Sequence, residues 1–177
     1  MPILIAAVVV VGGLCLLDLL LTFGVIRRLR EHTNMLAAGR GADPPVGLAA
    51  GMSPGAFTAS TISGEVVTGT TGLRVVAFFS PWCKSCPERV PPFLEYLSSH
   101  RIGRDSVLTV VASDDGTSPP FQDQLAEVAQ ACVEPHEGMV AKAFEVVGFP
   151  AFFLLDADGV VAASGHNPAA LPEPAAV

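Results

Sequence analysis

The chain has 177 residues, of which half are hydrophobic and 15% are charged. Ten Lys and Arg against seventeen Asp and Glu give a formal net charge of −7, and no basic patch is interleaved with aromatic residues, so the composition argues against a nucleic-acid-binding protein. The four cysteines form one closely spaced pair and two single residues, which is not the pattern of a disulfide-stapled scaffold.

A long apolar run occupies the N-terminus. Residues 2–26 contain a single ionisable residue, Asp18, and about twenty apolar residues in helical form span a bilayer core. We therefore predict a transmembrane helix over 2–26. A cleaved signal peptide is the weaker alternative, because no positive region precedes the run and the run is too long for a signal sequence. We interpret Asp18 and Cys15 as residues of a single-pass membrane anchor that have no catalytic or binding role.

Residues 27–52 are predicted to form a juxtamembrane helix and then a linker. Arg27, Arg28 and Arg30 directly follow the apolar run, and positive flanks favour the cytoplasmic side of a membrane. From residue 39 the chain becomes rich in Gly, Ala and Pro, which is typical of a flexible connection.

Residues 53–164 have the pattern of one folded domain. Two short β-prone pieces flank residues 63–65, and Val75–Phe79 and Val107–Ala112 are continuous apolar strands of the kind buried on both faces. The order βαβα followed by a β-hairpin predicts an α/β domain with a mixed sheet and helices on both faces. Residues 165–177, rich in Pro and Ala, are expected to be a flexible tail. The remaining predicted elements are helices over 83–98, 121–131 and 138–146, and strands over 132–133, 151–155 and 160–163.

The strand Val75–Phe79 leads into the run Trp82-Cys83-Lys84-Ser85-Cys86-Pro87. A strand feeding a Cys-x-x-Cys at a helix start is the layout of a redox dithiol, because the two sulfurs share one side of the first turn and can bridge. We predict Cys83 as the nucleophile, since the helix dipole and the adjacent Lys84 favour a thiolate there. Cys86, one turn inward, is then the resolving thiol.

On these residues the chain resembles the thioredoxin-fold superfamily, and more narrowly the membrane-anchored TlpA/ResA-like and MauD-like thiol–disulfide oxidoreductases. The resemblance covers most of residues 54–164. It rests on the segment from Phe78 to Pro87, on Pro91, on Gly148-Phe149-Pro150 before a strand, on Asp156–Gly159 with the hairpin after it, and on Pro54-Gly55-Ala56-Phe57-Thr58.

The resemblance implies a three-layer thioredoxin-like domain that exchanges disulfides with client proteins and receives electrons from a membrane or soluble donor. It implies a cis Phe149–Pro150 bond beside the dithiol and a shielding role for Trp82. It implies no cofactor and no metal. It also favours the extracytoplasmic face, against the basic flank of the membrane helix, and we expect that location because long segments are exported largely regardless of charge.

Several positions depart from the family pattern. Ala77 stands where thioredoxins carry a buried Asp, and Arg89 stands where the TlpA-like branch often has a Glu, so only Glu88 is left as a candidate proton acceptor for Cys86. Cys132 is interpreted as a buried small residue rather than a third redox thiol, and His136 as a loop residue.

Three other functions remain open. A peroxiredoxin-like peroxidase needs a Ser or Thr three residues before its reactive cysteine, and Ser80 holds that position. A copper carrier would use Cys83 and Cys86 with His136. A non-catalytic docking domain would need neither cysteine. The vicinal cysteines and the adjacent Trp82 favour the dithiol exchanger over all three.

Overall fold

The computed structural model describes residue 12 and residues 44–174. Apart from residue 12, which is helical, the predicted membrane helix over 2–26 lies outside the described residues, as do Asp18 and Cys15. Over the part that is described, no helix has the length and apolarity needed to cross a membrane.

A five-stranded mixed sheet forms the centre of the domain, and a separate hairpin lies beside it. The strands are β1 Thr58–Ser60, β2 Val66–Thr68, β3 Val75–Phe79, β4 Val107–Ala112, β5 Gln130–Glu134, β6 Ala151–Leu155 and β7 Val161–Gly165. The central sheet has the strand order β5-β4-β3-β6-β7. Strands β3, β4 and β5 run parallel, whereas β6 and β7 are antiparallel to their neighbours. The hairpin pairs β1 with β2.

Helices cover both faces of this sheet, which confirms the predicted α/β architecture. The central strand β3 is buried along its whole length, and its side chains alternate between two apolar clusters. The helices are α1 Cys86–Ser99, α2 Gln122–Val128 and α3 Met139–Ala143, and two 3-10 helices span Arg104–Ser106 and Pro168–Ala170. Helices α1 and α2 pack on one face, while α3 and the β1–β2 hairpin pack on the other.

Helix α2 is shorter than predicted because the sheet takes over its C-terminal end. The pattern predicted a helix over 121–131, but Ala129 is already extended, and Ala131 pairs with Thr109 of β4. Pairing with a neighbouring strand here outweighs the helical preference of a local Ala-rich segment.

Helix α3 also ends earlier than the predicted 138–146. Glu145 has a φ of +51°, and the amides of Glu145 and Val146 bond back to the carbonyls of Lys142 and Ala141 at 3.1 and 3.0 Å. This is the Schellman arrangement, which closes a helix with one left-handed residue.

The folded domain begins before residue 53, within the predicted linker. Val46 and Leu48 are 1% and 3% exposed and belong to the cluster on the α3 face. The amide of Leu48 donates to the Phe144 carbonyl at 3.0 Å. The two apolar side chains of this Gly- and Pro-rich segment therefore belong to the hydrophobic core.

The segment predicted to be a flexible tail is packed on the domain as far as the structure describes it, up to residue 174. Pro168 is buried, Leu171 packs against the cluster on the α1 face, and the Tyr96 hydroxyl donates to the Pro172 carbonyl at 2.8 Å. The tail is therefore packed against α1 rather than free of the domain.

Candidate active site

The candidate site lies at one edge of the sheet, where the three parallel strands end. Ser80 directly follows β3, Asp114 follows β4 by two residues, and His136 follows β5 by two residues. Because β6 runs antiparallel to β3, its start, preceded by Phe149 and Pro150, lies at the same edge. The carboxyl ends of parallel strands are the usual place for a site in such a sheet.

Cys83 and Cys86 form a disulfide, as the motif predicts, with Cα atoms 5.3 Å apart. Their environments differ: Cys86 is fully buried, while Cys83 is partly exposed. The Cys83 sulfur also lies 3.5 Å from the Ser85 hydroxyl. Disulfide exchange needs a nucleophilic sulfur that solvent can reach, and Cys83 is the more exposed of the two; the roles of nucleophile and resolving thiol stay predictions.

The helix begins at Cys86, and not at Cys83 as predicted. Cys83 lies in a turn, where its amide donates to the Ser80 carbonyl at 3.1 Å and its carbonyl accepts from the Cys86 amide at 3.2 Å. A helix starting at Cys83 would require the amide of Pro87 to bond to Cys83, and proline has no N–H. Cys83 is therefore not part of the first helical turn. It is joined to the N-terminus of the helix by its disulfide to Cys86.

The two residues that flank Cys83 are at the surface. Trp82 is 65% exposed, so most of its side chain faces solvent. Lys84, next to Cys83 in sequence, is also exposed. The shielding role of Trp82 stays a prediction.

The Phe149–Pro150 peptide bond is cis, as the resemblance implies. Pro150 is buried, and Phe149 packs against the apolar clusters of both faces. Cys83 packs against one of these clusters as well, the cluster on the α1 face. His166 Nδ1 donates to the Pro150 carbonyl at 2.6 Å, which ties the loop to the residue that follows β7.

The surroundings of Cys86 are apolar. Ala77, at the position of the missing Asp, is fully buried in the same cluster as Cys86. Arg89 Nη1 donates to Asn167 Oδ1 at 3.4 Å, and Glu88 is exposed on the helix surface. Neither Ala77 nor Arg89 can supply a carboxylate to Cys86, and Glu88 faces solvent while the thiol is covered.

His136 lies in the turn after β5, so it is a loop residue as predicted, and its side chain is also part of a hydrogen-bonded chain. Its Nε2 lies 3.1 Å from the Ser80 hydroxyl, and its Nδ1 lies 3.0 Å from Asp114 Oδ2. Its ring meets Phe149 edge to face, with centroids 5.3 Å apart. A signal for this cluster exists in the sequence, since polar residues follow three successive buried strands, but pairing them requires the strand order.

Cys132 is a buried free thiol, as predicted. Burial, with a smaller contribution from the Glu134 carboxylate, raises the pKa of Cys132 to about 12. A thiol that keeps its proton is a poor nucleophile, so Cys132 is unsuited to a redox role.

The geometry also bears on the alternative functions. The Ser80 hydroxyl, which a peroxidase would direct at its cysteine, bonds to His136 instead. Both ring nitrogens of His136 have protein partners, which leaves neither free for copper. Across residues 44–174, no group of three His, Cys, Asp or Glu side chains is arranged to hold a metal ion.

No protein-family model and no curated protein matches the chain. Among solved structures, the chain resembles the thioredoxin domain of a thiol–disulfide oxidoreductase from Bacteroides vulgatus, with 19% identity, a TM-score of 0.55, and coverage of 66% of this chain and 88% of the other. It also resembles a secreted Mycobacterium tuberculosis disulfide oxidoreductase homologous to E. coli DsbE, with 23% identity, a TM-score of 0.51, and coverage of 68% and 87%. The predicted thioredoxin-like fold is therefore confirmed.

Proposed function

We propose that this protein is a membrane-tethered thiol–disulfide oxidoreductase that exchanges the Cys83–Cys86 pair with client proteins. One observation carries the proposal: in a thioredoxin-like fold, a partly exposed Cys83 is bridged to a buried Cys86 at the sheet edge that also holds the cis Phe149–Pro150 bond. The fold is shared with structures described as disulfide oxidoreductases.

In the reductive direction the reaction has two steps. The Cys83 thiolate attacks a client disulfide, forms a mixed disulfide and expels the first client thiolate. The Cys86 thiolate then attacks the Cys83 sulfur, which closes the Cys83–Cys86 disulfide and expels the second client thiolate. The client gains two electrons, and the two protons of the dithiol end on the client thiols.

The surface beside the disulfide is suited to a protein client. Trp82 and Val147 are 65% and 73% exposed, and they flank Cys83 and the cis-proline loop in sequence. Exposed large apolar side chains next to a reactive group are typical of an interaction surface. We infer that client chains dock here, and that a separate electron donor returns the pair to the dithiol.

We further propose that residues 2–26 span the membrane and that the catalytic domain lies on the extracytoplasmic face. The apolar run and its length support the span, and the demand for disulfide chemistry outside the cytoplasm supports the face. Protease digestion of intact cells tests the orientation: cleavage in the domain is expected, and full protection would place it in the cytoplasm.

Covalent trapping tests the exchange reaction. In full-length chain carrying Cys86→Ser, the mixed disulfide cannot be resolved, so we expect a covalent client adduct that dithiothreitol releases. Cys83→Ser is expected to form no such adduct, and Cys132→Ser, which removes a buried thiol, is the matched control that behaves as wild type. Absence of any adduct with Cys86→Ser, together with no exchange by the wild-type chain, would contradict the proposed function.

The reduction potential gives the direction of electron flow. A value near thioredoxin's, about −270 mV, would assign a reductant, and a value near about −120 mV would assign an oxidant that donates its disulfide. Equilibration of the full chain with glutathione buffers measures it.

A further inference from the structure

We propose that His136 is a positioning residue for this exchange, holding the dithiol turn and the cis-proline loop in place relative to each other through Ser80 and Phe149. The inference rests on the proposed function. It follows from one placement: His136 contacts the residue that begins the turn carrying Cys83 and also the residue that precedes Pro150.

Asp114 fixes the ring of His136. Its Oδ1 accepts the His136 backbone amide at 2.8 Å, and its Oδ2 accepts from Nδ1 at 3.0 Å. Because an ionised carboxylate only accepts hydrogen bonds, Nδ1 is the donor of this bond, and in the tautomer that carries its proton on Nδ1 the acceptor Nε2 faces Ser80. The side chain of His136 is 32% exposed, and its orientation is fixed by protein partners on both ring nitrogens.

Ser80 transmits that orientation to the dithiol turn. It is 2% exposed, and its hydroxyl donates to His136 Nε2 while it accepts from the Trp82 amide at 3.4 Å. Its carbonyl accepts the Cys83 amide at 3.1 Å. A buried hydroxyl that loses its partner carries a desolvation cost, so removal of the His136 acceptor is expected to shift Ser80 and, with it, the backbone of Trp82 and Cys83.

Phe149 transmits the same orientation to the cis-proline loop. The rings of His136 and Phe149 meet at 83°, an edge-to-face contact that fixes both position and angle. His166 makes a second contact with this loop, a hydrogen bond to the Pro150 carbonyl. The sulfur pair and the loop are thereby joined through one imidazole, which fixes the site before a client binds.

The experiment compares His136→Phe, Ser80→Ala and their double variant in the full chain. His136→Phe keeps a ring against Phe149 and removes both polar contacts. We expect each single variant to lower kcat for reduction of a small model disulfide by about fivefold to tenfold, the effect of one hydrogen bond to a buried group, and to leave KM unchanged. The double variant is expected to be no slower than either single variant, because both remove the same link.

Two comparisons separate positioning from a general loss of structure. His136→Gln, whose amide can still bond to Ser80, is expected to recover part of the rate. His100→Phe, at the opposite end of α1, is the matched control and is expected to leave the rate unchanged. A looser turn also lowers the effective concentration of one thiol at the other, so we expect the equilibrium constant for disulfide formation with glutathione to fall by several-fold in His136→Phe.

Wild-type kcat and a wild-type glutathione equilibrium in His136→Phe would overturn this inference and leave the proposed function intact. A slower rate that simply follows a lower fraction of folded protein, with no rescue by His136→Gln, would also overturn it. If the wild-type chain exchanges no disulfide with a protein client, the proposed function fails, and its equilibrium with glutathione still decides whether His136 acts on the cysteine pair.

Discussion

At the scale of single residues, the three described cysteines are separated by their surroundings. Cys83 is partly exposed in a turn, Cys86 is buried at the start of α1 in the cluster on that face, and Cys132 is inside β5. Thiol reactivity follows exposure and the fraction of thiolate. The surroundings thus suit the first two cysteines to the proposed roles of nucleophile and resolving thiol, and leave the third as a packing residue.

The raised pKa of Cys132 predicts slow alkylation. With a pKa of about 12, the folded thiol stays protonated between pH 7 and about 9, whereas the unfolded thiol ionises near 9.0. We expect iodoacetamide to modify Cys132 far more slowly in the native chain than in guanidinium, as read by peptide mass spectrometry. Equal rates in the two conditions would mean that the thiol is not buried.

The same shift has a consequence for stability. Because the folded pKa lies above the unfolded value, the contribution of the protonated thiol is fully present below about pH 9 and is lost as the pH rises toward 12. Cys132→Ala removes this contribution, so its midpoint in urea is expected to fall less steeply over that range than that of the wild type.

The cysteine pair and the cis-proline loop could be predicted from the sequence because each is a short local pattern. The chain Ser80–His136–Asp114 could not, since Ser80 and His136 are 56 residues apart and His136 and Asp114 are 22 apart. Only the order β5-β4-β3 makes their strand ends neighbours. A local sequence pattern does not say which strands pair in the sheet, and so it could not predict this chain of hydrogen bonds.

At the scale of elements, α3 is a five-residue helix whose N-terminus is capped by a side chain from outside the helix. The N-cap residue, Gly138, has no side chain, and Glu134 at the end of β5 accepts from the amides of Val140 and Ala141 at 3.1 and 2.8 Å. A carboxylate on the first amides of a helix satisfies free donors and complements the helix dipole. A side chain at residue 138 would collide with the Glu134 carboxyl.

We therefore predict that Glu134→Ala lowers the free energy of unfolding by about 1 kcal/mol, the usual cost of losing an N-cap. The matched control is Glu137→Ala, three residues along, whose side chain is 90% exposed and lies 3.9 Å from Lys142. Urea denaturation measures both variants. An unfolding free energy for Glu134→Ala as high as that of the control would show that the cap contributes nothing.

The bounds of the buried strands were predicted more accurately than those of the other elements. The bounds expected for β3, β4 and β6 are those observed, because a continuous apolar run has few other solutions. Helix ends were predicted less well, since they depend on contacts outside the helix: Pro87 delays the start of α1, and Ala131 is drawn into β5.

At the scale of the whole domain, residues 46–52 are a part of the fold. Leu48 packs in the same cluster as Val46, Phe144 and Phe153, and its carbonyl accepts from the Ser164 hydroxyl at 3.0 Å. The segment thus connects the α3 face of the core to strand β7.

Leu48→Ala is expected to lower the free energy of unfolding by about 3 kcal/mol, the usual cost of truncating a buried leucine. The control is Met52→Ala, in the same segment but 45% exposed, which should change stability little. Thermal or urea unfolding of the full chain measures the difference. Equal stability in the two variants would mean that residues 46–52 act as a linker after all.

The path of this segment also bears on self-association. Gly51 and Met52 exchange hydrogen bonds with Val161 on the outer side of β7, at 2.8 and 3.0 Å. Thr61 and Ile62 cover the outer side of β5, where the Ile62 amide donates to the Ala131 carbonyl at 2.8 Å. Both outermost strands of the central sheet thus have part of their backbone already paired within the chain. An unpaired edge strand is a template on which a second molecule can add a strand, which leads to amyloid-like aggregation. These few residues pair with part of both edge strands and so oppose such aggregation.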